Sequence, residues 1–169
     1  GLPDPHFWLD PVRVDMAARY LADELQVRVD TGVEALSVEL AHVQAQVDQM
    51  LADIPPDRRK IVTGHDFLAY FAERFGLEVV GVIVPGGTHH AEPSSEHLAE
   101  IVDTINREMI TTIFIDAGES RALAEAVAAE ADHPVEIVEL QVGAIPDLPS
   151  PAIDIIRITG ERIAAALAG

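Results

Sequence analysis

Ile61-Val62-Thr63-Gly64-His65-Asp66-Phe67-Leu68-Ala69-Tyr70-Phe71 begins as a short apolar run and ends in an aromatic, helix-like pattern. Between the two it delivers a histidine and an aspartate. In an α/β protein such a stretch is a strand handing over to a helix, and ligands gather at that edge of the sheet. The question for the rest of the chain is what His65 faces.

Downstream of this stretch, strands and helices alternate. Residues 60–63 read as a strand and 66–75 as a helix closed by Gly76. A mostly apolar strand over 77–84 follows, then the loop 85–93, then a helix capped by Ser94 or Ser95 and running to about Arg107. Residues 112–115 read as a third strand, 120–131 as a helix, 135–140 as a fourth strand and 152–167 as a last amphipathic helix. Apolar strands without polar alternation, separated by helices, indicate a parallel sheet covered on both faces.

Upstream, Asp10-Pro11 reads as a helix start, with Asp as N-cap and Pro at the first helical position, for a helix over 11–27. Thr31 and Glu34 fit a capping box. From there Val33, Leu36, Leu40, Val43, Val47, Met50 and Ile54 step by threes and fours to Pro55-Pro56. That narrow seam predicts one long helix of about 22 residues, roughly 33 Å, which reads as a strut. A two-helix hairpin from 11 to 54 is the plainer alternative.

The 169 residues are 49% apolar, enough for a real core, and suit one medium domain or one domain with part of another. Asp and Glu number 29 against 11 Lys and Arg, a formal charge of −18. Nucleic acid and anionic membrane surfaces are poor partners for such a chain, because counterion release needs clustered cations. The absence of cysteine excludes disulfides and thiolate metal sites. No apolar run reaches the ~18 residues of a membrane span, and no basic start followed by an apolar stretch marks a signal peptide.

Searches for G-x-S-x-G, a P-loop or G-x-G-x-x-G find nothing. The remaining chemistry lies in seven histidines and the carboxylates, neutral imidazole being the commonest ligand for zinc-like ions. His42, His97 and His133 read as exposed or satisfied polar residues. His89 and His90 leave the presumed carboxyl end of the second strand, as accessory ligands or as a solvated loop pair. His6 and His65 are balanced between ligand and structural roles on residue chemistry alone.

Asp4-Pro5-His6-Phe7-Trp8-Leu9-Asp10-Pro11 resembles the D-P-H-x-W-L-D-P segment of the metal-binding lipoproteins that serve zinc and manganese ABC importers. Residues 60–71 resemble the second histidine segment of that family, Ala91-Glu92-Pro93-Ser94 and the helix after it the next turn, and 153–167 the closing helix. The resemblance implies two α/β lobes joined by a long helix, with the metal in the cleft between them. It divides this chain into the end of the first lobe (1–28), the linking helix (29–56) and a C-terminal lobe (57–169) built on a four-stranded parallel sheet. It implies His6 and His65 as metal ligands, Zn²⁺ as the ion with Mn²⁺ as second candidate, an ABC importer permease as partner and an extracytoplasmic location.

Two departures qualify that picture. The family's earliest ligand histidine, with roughly 100 or more residues of the first lobe, is outside this chain. The family's ligand Asp before the closing helix has no direct counterpart. Register with Arg157 puts Ser150 there, with Asp147 three residues earlier as the favoured carboxylate and Asp154 or a water as alternatives. Asp66 reads as a helix cap or supporting group. Apolar surface around Phe7, Trp8, Met16 and Leu21 is expected to be exposed and to favour association. A zinc hydrolase using Asp66, Asp116 or Glu92 as base, and a lobe with no activity of its own, are the alternatives to metal capture.

Overall fold

The computed structural model describes residues 4–25, 32–86, 93–143 and 151–169, with the side chain of Pro151 excepted. After a 3-10 turn at Phe7–Leu9 come α1 (Pro11–Glu24) and α2 (Gly32–Leu51), with a second 3-10 turn at Pro56–Arg58 behind them. Then follow β1 (Lys60–His65), α3 (Ala69–Phe75), β2 (Glu78–Val84), α4 (Ser95–Glu108), β3 (Thr112–Asp116), α5 (Arg121–Ala129), β4 (Glu136–Leu140) and α6 (Pro151–Ala168). The four strands form one parallel sheet in the order β2-β1-β3-β4, the α/β arrangement expected from the alternation.

Successive side chains of a strand point to opposite faces, and the two cores show it. Ile61 and Phe114 belong to a core shared with α2, α3 and α6, whereas Val62, Ile113 and Ile115 belong to one shared with α4 and α5. The sheet is therefore covered on both faces. The seam of α2 is buried at Leu40, Val43, Val47 and Leu51, with Leu51 taking the place expected of the half-buried Met50. α2 is one helix of 20 residues, about 30 Å long. It packs on α6, α1 and α3. Thr31, proposed as its cap, lies outside the described residues.

Local signals set most of the boundaries. Asp10 accepts from the Val12 N–H and Pro11 stands at the first position of α1. Ser94 accepts from the His97 N–H at the start of α4. Gly76 ends α3 in the left-handed region at φ 69°, where a side chain would be strained.

Four expectations need correction. β1 does not stop at Thr63 but runs through His65, which pairs with Val84 of β2. Residues 66–68 form a turn instead of the first turn of α3, with the Phe67 N–H donating to His65 O at 2.9 Å. Asp66 caps no helix, because its Oδ2 accepts from the Gly86 N–H at 3.0 Å and ties the end of β2 to that turn. Finally, Phe7, Met16 and Leu21 are exposed, but Trp8 is half-buried with its indole N–H donating to Val142 O at 2.8 Å. An indole whose N–H has a backbone acceptor can be buried without penalty.

Gly160 of α6 faces Val47 of α2 so closely that a Cβ there would fall 2.7 and 2.9 Å from the two Val47 methyls. Gly160→Ala is therefore expected to destabilise the fold by about 1–2 kcal/mol in urea titration, overpacking outweighing the ~1 kcal/mol of helix propensity gained. Val47→Ala in the same chain should recover part of the loss.

Candidate metal centre

β1 and β3 are neighbours, and the chain leaves them toward opposite edges of the sheet. That is the switch point at which open α/β sheets hold ligands. His65 closes β1 at this point, 2% exposed. Asp116 closes β3 beside it, and Glu119 follows in the next turn.

The His6 segment reaches the same point from the other end of the chain. Leu9 is fully buried in the core of α2, α3 and α6, and Trp8 is fixed by its bond to Val142 O. Asp10 is a buried carboxylate, 1% exposed. It caps α1 and receives the guanidinium of Arg74 from α3, with Nε at 2.8 Å and Nη2 at 3.1 Å. The Arg13 Nε lies 3.2 Å from its second oxygen. A forked, charge-assisted pair of this kind fixes geometry as well as energy, and here it locks the start of α1 onto the helix that follows His65.

The consequence is a pair of imidazoles. The His6 and His65 rings lie 5.5 Å apart, centroid to centroid, at 58°. Phe67 packs 4.9 Å from His65 and 6.4 Å from His6, and Trp8 meets His6 edge-on at 5.3 Å. Each imidazole has a carboxylate at Nδ1, Asp4 at 2.7 Å for His6 and Glu119 at 3.3 Å for His65. Burial pushes the Asp116 carboxyl above its ordinary range, opposed by backbone N–H groups of Val142 and Ala117 and by the nearby His65.

Among the described residues no group of three or more His, Asp or Glu side chains is arranged to hold a metal ion. Asp147, His89, His90 and Glu92 lie outside the described residues. Asp154 pairs with Arg157 at 3.1 Å on α6. His42 is exposed, while His97 and His133 face the carbonyls of Val82 and Ile110 at 2.8 and 2.9 Å. Glu119 escapes the sequence reading altogether. The only signal for it is its place just past Asp116 at the end of a strand, which becomes meaningful once β3 is known to neighbour β1.

Removing the guanidinium tests the lock. Arg74→Met leaves the Asp10 carboxylate buried with only Arg13 near it. The loss expected in urea unfolding is about 3 kcal/mol, the low end for a broken buried pair, because the Arg74 side chain is 30% exposed. The His6 and His65 ring signals in proton NMR should shift together in that variant.

Residues 2–166 match the family described as zinc-uptake complex component A, periplasmic. The zinc-binding lipoprotein AdcA of Streptococcus pneumoniae is 28% identical over 141 residues, covering 80% of this chain and 28% of that protein. The manganese-binding lipoprotein MntA of Halalkalibacterium halodurans is 26% identical over 136 residues, covering 68% of this chain and 45% of that one. The structure of the periplasmic zinc-binding protein TroA from Treponema pallidum superposes with a TM-score of 0.83 at 25% identity, covering 97% of this chain and 64% of that one. The chain thus spans less than half the length of these two lipoproteins.

Proposed function

The chain belongs to the zinc-uptake complex component A family, and we propose on that footing that it captures Zn²⁺ outside the cytoplasmic membrane for delivery to an ABC importer permease. His6 and His65 supply two nitrogen ligands, and Asp147 supplies a carboxylate. The observation that carries this reading is the 5.5 Å between the two rings. Two imidazoles on one tetrahedral zinc, with Zn–N of about 2.0–2.1 Å, place their ring centroids roughly 5 Å apart.

The donor set favours zinc. Imidazole nitrogens suit Zn²⁺ better than the harder Mn²⁺, which prefers oxygen-rich shells, although relatives named for either metal match this chain. The ion is cargo, held in the cleft where the His6 segment meets the C-terminal lobe. The family is one of transport components rather than enzymes. A hydrolytic role is not favoured by a family of transport components; of its candidate bases, Asp66 is engaged by the Gly86 N–H, Asp116 closes β3 near His65 and Glu92 lies outside the described residues.

In the same reading the exposed apolar side chains of Met16, Tyr20 and Leu21 on α1 and of Leu25 just past its end are a contact surface. In isolation the 169-residue chain covers it by self-association. Sedimentation over a concentration series should show a monomer–dimer equilibrium that Met16→Glu shifts to monomer, and a strict monomer at all concentrations contradicts the assignment.

Calorimetric titration tests the ligands directly. His6→Ala and His65→Ala should each lower zinc affinity more than about 100-fold, past the 10–100-fold typical of losing a supporting group. Folded variants that keep full affinity would remove the two histidines from the site.

A further inference from the structure

Glu119 is built into the sheet edge with more care than a surface carboxylate needs. Its own N–H donates to Asp116 O at 3.0 Å, and its Oε2 accepts from the Asp116 N–H at 3.2 Å. The carboxylate lies against the backbone of Gly64, where a Cβ would fall 2.5 Å from both of its oxygens. It is 14% exposed, and Oε2 is the atom that meets His65 Nδ1. A glycine immediately before His65 is therefore what leaves room for a carboxylate supplied from 54 residues away.

We propose that Glu119 is the positioning residue of His65, admitted by Gly64. An ionised carboxylate only accepts hydrogen bonds, so its partner nitrogen carries the proton. His65 is thereby held as the Nδ1–H tautomer with its ring fixed, and Nε2 is the nitrogen that carries the lone pair. Support from a carboxylate on the far nitrogen orients metal-binding histidines and raises their basicity.

His6 repeats the arrangement independently. Asp4 Oδ1 lies 2.7 Å from His6 Nδ1 and also accepts from the His6 backbone N–H at 2.9 Å. Two imidazoles 5.5 Å apart, each backed at Nδ1, have the same nitrogen, Nε2, left to carry the lone pair. The inference deepens the zinc-capture reading and rests on it for its purpose, but its test does not require metal.

The experiment is long-range proton–nitrogen NMR on the metal-free 169-residue chain, with ¹⁵N-labelled histidine, above the imidazole titration range. The wild-type protein should show His65 as the Nδ1–H tautomer. Glu119→Gln, whose amide oxygen still accepts, should keep it. Glu119→Leu should give a mixture of tautomers, and so should Gly64→Ala, which evicts the carboxylate while leaving Glu119 intact. Zinc affinity should fall 10–100-fold in the Leu and Ala variants and recover toward wild type in Glu119→Gln. An Nε2–H tautomer in the wild-type protein, or an unchanged Nδ1–H tautomer in folded Glu119→Leu, would overturn the proposal. If the tautomers behave as stated while His6→Ala and His65→Ala bind zinc normally, the positioning assignment stands and the capture reading falls.

Discussion

One buried carboxylate holds the site together. Asp10 caps α1, receives the forked guanidinium of Arg74 and has Arg13 close by. Asp10 and Arg74 are 64 residues apart in sequence. Leu9 in the core and the Trp8 indole bond anchor the same segment. A charge this buried is costly unless every oxygen is met, so the pair tolerates little displacement. It is suited to fixing one segment relative to another, whatever its net contribution to stability.

From that lock the rest follows through the sheet. β1 must lie next to β3 for Glu119 to reach His65. It must also run to its last residue, His65, so that the imidazole sits at the switch point instead of in a helix. The surroundings are mostly apolar rings, Trp8 and Phe67, and electrostatic and hydrogen-bonding interactions strengthen where water is displaced. In the proposed capture role, a pair of imidazoles backed by carboxylates in such surroundings presents nitrogen donors with little reorganisation left to do.

Much of this is legible in the sequence because local physics writes it. Asp10-Pro11 announces a helix start, the apolar runs at 60–63 and 112–115 announce buried strands, and steps of three and four announce α2. The resemblance of the two histidine segments to the metal-binding lipoproteins pairs His6 with His65, and the fold brings the two rings together. What local pattern does not carry is who meets whom across the chain. Gly64 reads as part of a strand-to-helix turn, but its missing side chain makes room for Glu119, and only the strand order reveals that. Trp8 reads as exposed until the backbone carbonyl of Val142 gives its indole a partner. Asp66 sits where a helix cap belongs, and the Gly86 N–H claims it instead.

The most direct test is X-ray absorption at the zinc edge on the 169-residue chain loaded with one equivalent of Zn²⁺. The account predicts two imidazole ligands at about 2.0–2.1 Å and the loss of one in each of His6→Ala and His65→Ala. A zinc shell with no imidazole, or one unchanged by either substitution, would contradict it.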